Sequence, residues 1–245
     1  NKIKVKLLDK NQGISGATNE AASLAFGDYI LLMDNDDELA HSALHEFYQK
    51  IKKDGSEILY SDMDIIDAKG RTRDPLCKPD WSPDLFLSQM YLGHLVGFKK
   101  SLFDEVGGFR SEFNGSQDYD LLLRMTEKTD KIGHVAEILY HWRDLPSSTA
   151  ANPESKPYAQ IAGLNAIQEH LNRVYGSGKA IAHETDNLFV YDVRYPMEEE
   201  PMVSIIIPIK DHVELLKAAI DSIFEKTTYK PVSYTHLTLP TKLEV

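Results

Sequence analysis

The chain lacks the features of secreted, disulfide-bonded and membrane-spanning proteins. Its single cysteine, Cys77, cannot form an internal disulfide, and no cysteines and histidines have the spacing of a zinc site. A lone thiol is typical of a reducing compartment such as the cytoplasm. No apolar run approaches the roughly 20 residues that a membrane-spanning helix needs. A signal peptide is also missing, but the chain begins at Asn1 without a methionine, so this absence excludes nothing.

Basic residues are fewer than acidic residues. The chain has 27 lysines and arginines against 38 aspartates and glutamates, which gives a net charge of -11. This balance argues against a general nucleic-acid binder, which would present a basic face. It leaves room for a nucleotide ligand, because a divalent cation can join carboxylates to phosphates. Hydrophobic residues at 42% and charged residues at 27% are typical of an ordinary globular protein.

Strand and helix patterns alternate along the chain and predict an α/β fold with a largely parallel sheet. Helical spacing of apolar residues predicts helices over residues 16–26, 42–53, 101–106, 119–126, 158–175 and 213–224. Alternating charged and apolar residues predict a strand over residues 2–8, and short apolar runs predict strands over residues 29–33, 58–60, 95–98 and 203–207. The stretch 74–83, which carries three prolines, is predicted to be a loop.

An apolar strand over residues 29–33 runs directly into five polar residues, Asp34-Asn35-Asp36-Asp37-Glu38. Unpaired neighbouring carboxylates repel one another, and a divalent cation removes that cost. An EF-hand calcium loop is excluded because Leu39 and His45 stand where it needs glycine and glutamate. A phospho-aspartate phosphatase expects threonine or valine where Glu38 stands. Two interpretations remain: an Asp-x-Asp metal site, or an acidic and solvated helix N-terminus.

Two further motifs combine charge with a defined place in the predicted fold. Asp118, in Gly-Ser-Gln-Asp-Tyr-Asp-Leu, begins a predicted helix whose dipole stabilises an anion, although a simple helix cap is the favoured interpretation of this motif taken alone. His141 and Arg143, in Tyr-His-Trp-Arg, are residue types that suit phosphate oxygens or complete a metal shell. The alternative for this pair is a packed strand end with exposed polar residues.

Four segments, in this order and spacing, resemble the nucleotide-sugar half of family 2 glycosyltransferases: residues 11–15, 17–19, 27–30 and 34–37. The resemblance implies a GT-A fold, in which a Rossmann-like, mixed and mainly parallel sheet is flanked by helices. It also implies inverting transfer of a sugar from a nucleotide-diphosphate donor to a glycan or lipid-linked acceptor in cell-surface polysaccharide synthesis.

The resemblance implies roles for individual residues. Asp118 matches the aspartate that acts as catalytic base, and Mg²⁺ or Mn²⁺ would be held by Asp34, Asp36 and Asp37. Donor binding falls to Asn11, Gly13, Asn19, Asp34, Asp62, Asp64, His141 and Arg143. Acceptor binding falls to His94 and Gln117.

The alternatives to this function are a sugar nucleotidyltransferase and a non-catalytic sugar-binding or scaffold half of a larger transferase. A nucleotidyltransferase would show a glycine-rich, basic segment near its start. The predicted partners are a nucleotide sugar and a glycan or lipid-linked acceptor, with no nucleic acid. A cytoplasmic location is expected, with peripheral association at the inner face of the membrane through regions outside this chain.

The predicted domain organisation has four parts. Residues 1–150 form a GT-A domain without its first strand and helix, so the fragment is expected to be inactive. Residues 151–200 form a helical segment and linker. Residues 201–231 resemble the start of a second such domain, as in tandem polysaccharide-assembly transferases. Residues 232–245 look like a translated sequencing adaptor and are predicted to be non-native.

Overall fold

A computed structural model describes residues 3–144, 157–197, 199–230 and 232–238. The chain forms two compact units, Asn1–Tyr195 and Pro196–Val245. The predicted domain boundary near residue 150 and residues 239–245 of the predicted tail lie outside the described residues. Among the described residues, no helix has the length and apolar character needed to cross a membrane.

The first unit alternates helices with strands. Its helices are α1 (Gly13–Ser23), α2 (Ala43–Asp54), α3 (Pro83–Ser88), α4 (Lys100–Val106), α5 (Gln117–Thr126) and α6 (Pro157–Tyr175). Its strands are β1 (Tyr29–Leu32), β2 (Glu38–Leu39), β3 (Ile58–Ile66), β4 (Thr72–Leu76), β5 (Val96–Lys99), β6 (Ile132–Arg143), β7 (Ile181–Glu184) and β8 (Tyr191–Arg194). Strands β7 and β8 form a separate antiparallel pair.

The main sheet has the strand order β1-β5-β3-β6-β2, with β4 paired to β3. It is mixed, as expected, but the expectation of mainly parallel pairing is wrong for the described strands. β3 and β6 are parallel, and the other pairs are antiparallel. The physical reason lies partly in short connections: the turn after β3, closed by the Asp67 carboxylate, returns the chain as an antiparallel neighbour.

Strand β3 is covered on both faces because its side chains alternate between two cores. Ile58 and Tyr60 belong to one cluster, together with the buried leucines of α5. Leu59 belongs to the other cluster, with Phe47 of α2. The carboxyl end of this central strand therefore lies between packed layers, and any side chain there is held by its neighbours.

Strand β6 carries a bulge opposite the middle of β3. Tyr60 pairs with His134, whereas Asp64 pairs with His141, so four steps along β3 match seven along β6. The three additional residues bend the strand and reset which side chains face each other beyond this point.

Most predicted elements are confirmed, within a few residues at their ends. The predicted strand at 2–8 is wrong: residues 3–8 have no regular structure, and none of the described strands pairs with them. Strand β3 continues through the acidic stretch to Ile66, and β4 covers part of the predicted loop 74–83. Strands β6, β7 and β8 were not predicted, because their sequences mix charged and apolar residues without strict alternation.

The second unit contains β9 (Val203–Ile209), α7 (Val213–Lys226) and β10 (Val232–Thr238). The strand and helix predicted over 203–224 are confirmed. β10 pairs with β9 in parallel, but the origin of residues 232–245 is untested and stays a prediction. Residues 157–195, predicted as helical segment and linker, lie in the first unit, where α6 buries Ile167 and Leu171 against α5.

Candidate active site

The acidic loop between β1 and β2 is held by its last aspartate. Asp37 is buried, and its carboxylate accepts hydrogen bonds from the Tyr140 hydroxyl at 2.5 Å and the Arg143 backbone N–H at 2.8 Å. The Asp34 backbone N–H donates to the Tyr140 hydroxyl oxygen at 3.1 Å. Burial, and then the hydrogen bond to Asp37, raises the pKa of Tyr140. Asp37 therefore anchors the loop through both of its oxygens.

Arg143 holds the same loop from the end of β6. Its Nε donates to the Asp36 carbonyl oxygen at 2.6 Å, and its Nη2 pairs with the Glu38 carboxylate. This clamp leaves the side chains of Asp34 and Asp36 exposed to solvent. The two aspartates of the cluster that remain accessible are thus its first and third residues.

His94 lies beside Asp34. Its Nε2 is 3.5 Å from Asp34 Oδ2, and its ring stacks on Tyr140 with centroids 4.9 Å apart. The histidine is held by backbone contacts as well, because the Lys78 ammonium donates to the carbonyl oxygens of Leu92 and His94. The predicted role of His94 in acceptor binding is untested, and the structure places it next to the acidic loop.

Lys78 is a functional candidate that sequence reasoning missed. It is buried, and its Nζ also donates to the Ser61 carbonyl oxygen at 2.5 Å. Burial lowers the pKa of Lys78 to about 8. A lysine inside a predicted loop carries no short motif. Its three carbonyl partners lie 14 to 17 positions away from it in the sequence, and only these contacts reveal that it fixes the segment around His94.

The carboxyl half of β3 presents two buried aspartates toward β6. Asp64 Oδ1 is 2.6 Å from His141 Nδ1, so the histidine is oriented and keeps Nε2 for a ligand. Asp62 accepts from the Lys78 backbone N–H at 2.9 Å and lies 2.9 Å from His134 Nε2. Asp62 is thus engaged by protein groups, and its role in donor binding stays a prediction.

Asp118 lies in the first turn of α5, where the buried side chain of Gln117 holds it. Gln117 Nε2 donates to Asp118 Oδ2 at 2.9 Å, and its Oε1 accepts from the Gly115 N–H at 2.7 Å. Burial raises the pKa of Asp118, the charge of Asp34 adds to that increase, and His94 opposes it. A half-buried carboxylate with a raised pKa, under the electrostatic influence of both His94 and Asp34, has the properties of a general base.

Asp118 lines two cavities. One, of about 160 Å³, is shared with His94, Gly93 and Leu32. The other, of about 360 Å³, extends toward the turn between β7 and β8. The aspartate therefore stands where a group in one cavity can meet a group in the other.

The predicted donor residues near α1 are engaged elsewhere. Asn11 Oδ1 accepts from the Gly13 N–H at 2.9 Å. Gly13 has φ of +71° and leaves space for Asn114, whose Nδ2 would lie 2.9 Å from an added Cβ. The Asn19 amide exchanges two 2.8 Å hydrogen bonds with the backbone of Phe109. These contacts join α1 to the segment before α5, and donor binding by these three residues remains untested.

The described residues fit a cation that is shared with a ligand better than one enclosed by protein. Among them, no group of three or more histidines, cysteines, aspartates or glutamates is arranged to hold a metal ion. Mg²⁺ typically takes one or two carboxylates and completes its shell with phosphate oxygens and water. Asp34 and Asp36 meet that requirement, whereas both oxygens of Asp37 are already used within the protein.

Comparison with known proteins shows what parts of this chain resemble. Residues 1–107 match the profile described as Glycosyl transferase family 2. The chain is 42% identical over 232 residues to "Uncharacterized protein y4gI" of Sinorhizobium fredii, covering 93% of this chain and 25% of that protein. It is 36% identical over 229 residues to "O-antigen biosynthesis protein RfbC" of Myxococcus xanthus, covering 93% and 18%. The chain thus spans a quarter or less of the length of these relatives.

A solved structure supports the fold. TarS 1–349 of S. aureus, in complex with UDP-GlcNAc, superimposes with a TM-score of 0.51 at 17% identity, covering 72% of this chain and 57% of that one. The predicted mixed α/β fold of the GT-A type is thereby confirmed. Residues 1–107 are thus similar to glycosyl transferase family 2.

Proposed function

We propose that the protein containing this chain is an inverting glycosyltransferase that moves a sugar from a nucleotide-diphosphate donor to a glycan or lipid-linked acceptor in cell-surface polysaccharide synthesis. The observation that carries this proposal is the position of Asp118, which lines two cavities and shares one of them with His94. The relative named for O-antigen biosynthesis supports the pathway. We also propose that the enzyme acts in the cytoplasm, at the inner face of the membrane.

The donor diphosphate would bind at the acidic loop. Asp34 and Asp36 would hold Mg²⁺ or Mn²⁺, which, when bound, neutralises charge on the leaving diphosphate. Arg143 keeps the loop in place through the Asp36 carbonyl and Glu38. His141, oriented by Asp64, offers Nε2 to a phosphate oxygen. Asp37 supports these groups from within the protein.

Asp118 would act as the base. Its carboxylate takes the proton from an acceptor hydroxyl while that oxygen forms a bond to the anomeric carbon. The bond from that carbon to the diphosphate oxygen breaks on the opposite side, so the configuration inverts. Burial makes the carboxylate a stronger base than an exposed aspartate, and Gln117 fixes its orientation.

The two alternatives predict different behaviour. A sugar nucleotidyltransferase would release pyrophosphate from a nucleoside triphosphate, and a scaffold half would bind sugar without cleaving any nucleotide sugar. The TarS complex with UDP-GlcNAc makes a uridine diphosphate sugar the first donor to test.

The deciding experiment is a calorimetric titration of the full-length parent protein with UDP, with and without Mn²⁺. Binding should require Mn²⁺ and weaken at least tenfold, roughly 1.4 kcal/mol, in Asp36→Ala. Asp104→Ala is the matched control, because this exposed aspartate on α4 pairs with Lys100, away from the acidic loop in the sequence. Binding of UDP that ignores both Mn²⁺ and Asp36 would overturn the proposed donor site.

A further inference from the structure

The larger cavity beside Asp118 is closed on its far side by residues that the family match does not reach. The turn between β7 and β8 supplies Leu188, Phe189 and Val190 to its lining, and the family match ends at residue 107. Its volume of about 360 Å³ lies at the lower end of the usual range for small-molecule pockets.

The turn is anchored to α6 through one buried side chain. Gln160 Oε1 accepts from the Phe189 backbone N–H at 2.5 Å, and the Gln160 carbonyl oxygen accepts from the Tyr191 hydroxyl at 3.0 Å. Within the turn, Thr185 Oγ1 donates to the Val190 carbonyl oxygen at 2.9 Å. These bonds hold Phe189 at a φ of +60°, so its position is set by the fold and not by a ligand.

The lining of the cavity combines polar and apolar residues. Asp118 and Ser116 contribute polar groups from the start of α5, whereas Met90, Leu188 and Phe189 contribute apolar residues. Leu188 is 46% exposed although the fold holds the turn in place. An exposed apolar side chain on a fixed wall gains most from a ligand that covers it with its own apolar surface.

We propose that Leu188 and Phe189 are specificity-determining residues for the acceptor, and that they favour a deoxyhexose whose methyl group packs on this wall. This inference rests on the proposed function, because it places the acceptor hydroxyl at Asp118. A hydroxymethyl group in the same place would lose hydrogen bonds to water against an apolar surface. Leu188 and Phe189 thus determine which acceptors bind more tightly, while the acidic loop holds the donor.

The test measures binding of two probes to the 245-residue chain by saturation-transfer NMR. The probes are methyl L-rhamnoside and methyl L-mannoside, which differ only in the hydroxyl on carbon six. The rhamnoside should bind about tenfold more tightly, which is the discrimination that apolar contacts can supply. The preference should disappear in the double variant Leu188→Ala, Phe189→Gly, in which glycine accepts the positive φ.

Ile181→Ala is the matched control, because this exposed residue of β7 belongs to the same hairpin but not to the cavity lining. It should keep the preference. Equal binding of the two glycosides, no binding of either, or a preference that survives in the double variant would overturn the inference. Mn²⁺-dependent UDP binding distinguishes failure of this inference from failure of the proposed function, because it tests the acidic loop without involving the turn between β7 and β8.

Discussion

The hydroxyl of Tyr140 joins the two ends of the acidic loop. It accepts a hydrogen bond from the Asp34 N–H at 3.1 Å and donates one to the Asp37 carboxylate at 2.5 Å. The same ring stacks on His94. One side chain of β6 therefore sets the position of the first loop carboxylate relative to the histidine beside it.

Replacing this tyrosine with phenylalanine tests the relationship. Tyr140→Phe keeps the ring but leaves the buried Asp37 carboxylate without one donor, which should lower the free energy of unfolding by about 1–3 kcal/mol. Urea denaturation measures this loss. Tyr48→Phe, at an exposed tyrosine of α2, should change nothing. Unchanged stability of Tyr140→Phe would show that the hydroxyl does not hold the loop.

Asp118→Asn should separate binding from turnover. The amide cannot accept the proton of the acceptor hydroxyl, so sugar transfer by the full-length protein should fall by at least about 100-fold. Mn²⁺-dependent UDP binding should persist, because Asp34 and Asp36 are unchanged. Transfer assays measure the loss of turnover, and calorimetry measures whether UDP binding persists. Transfer at the wild-type rate would remove Asp118 as the base.

The same variant should show a pH-dependent gain in stability. Because burial raises the pKa of Asp118 in the folded state, the folded chain binds this proton more tightly than the unfolded chain. The stability contributed by the protonated group is therefore lost as pH rises through the raised pKa. Thermal unfolding from about pH 3 to about pH 8 should show Asp118→Asn gaining on the wild type as pH rises. A difference that stays flat with pH would contradict the shifted pKa.

Lys78→Met should be strongly destabilising. The substitution removes the donor shared by the carbonyl oxygens of Ser61, Leu92 and His94, and a buried acceptor left unpaired costs about 1–3 kcal/mol. Urea denaturation should show that the free energy of unfolding falls by about 3 kcal/mol. This is the net loss, because the variant no longer has the cost of burying an ammonium group. Lys69→Met, in the exposed turn after β3, is the control. Equal stabilities would mean that the three carbonyls find other partners.

Residues 232–245 should be absent from the parent gene. The segment Val-Ser-Tyr-Thr-His-Leu-Thr-Leu-Pro-Thr departs from the pattern that follows β9 and α7 and resembles translated adaptor. Resequencing the genomic locus across the codon for Pro231 is the check. Recovery of the same codons from genomic DNA, free of library adaptors, would refute the prediction.

The sequence predicted the acidic loop but not how it is held. A strand running into carboxylates is a local pattern, and it correctly placed Asp34 and Asp36 at the end of β1. The engagement of Asp37 by Tyr140 and Arg143 joins residues more than one hundred positions apart. Such contacts follow from strand order and register, which hydrophobic periodicity does not specify.

Strand direction was a second feature that the sequence did not predict correctly. The prediction of a largely parallel sheet came from the alternation of helices and strands, yet β5 runs antiparallel to both β1 and β3. Helix α5 shows the opposite case. Its apolar spacing predicted the element to within two residues, because the pattern that indicates a helix is local in the sequence.

The bulge in β6 has a consequence for how the gene can vary. Its three additional residues are an odd number, and side chains along a strand change face at every step. Deleting one codon between Val135 and Leu139 would turn the following residues over, moving His141 away from Asp64 and Tyr140 away from the loop. A deletion that a surface turn would absorb should here abolish the site at once, so length variation among natural versions of this protein should avoid these five codons.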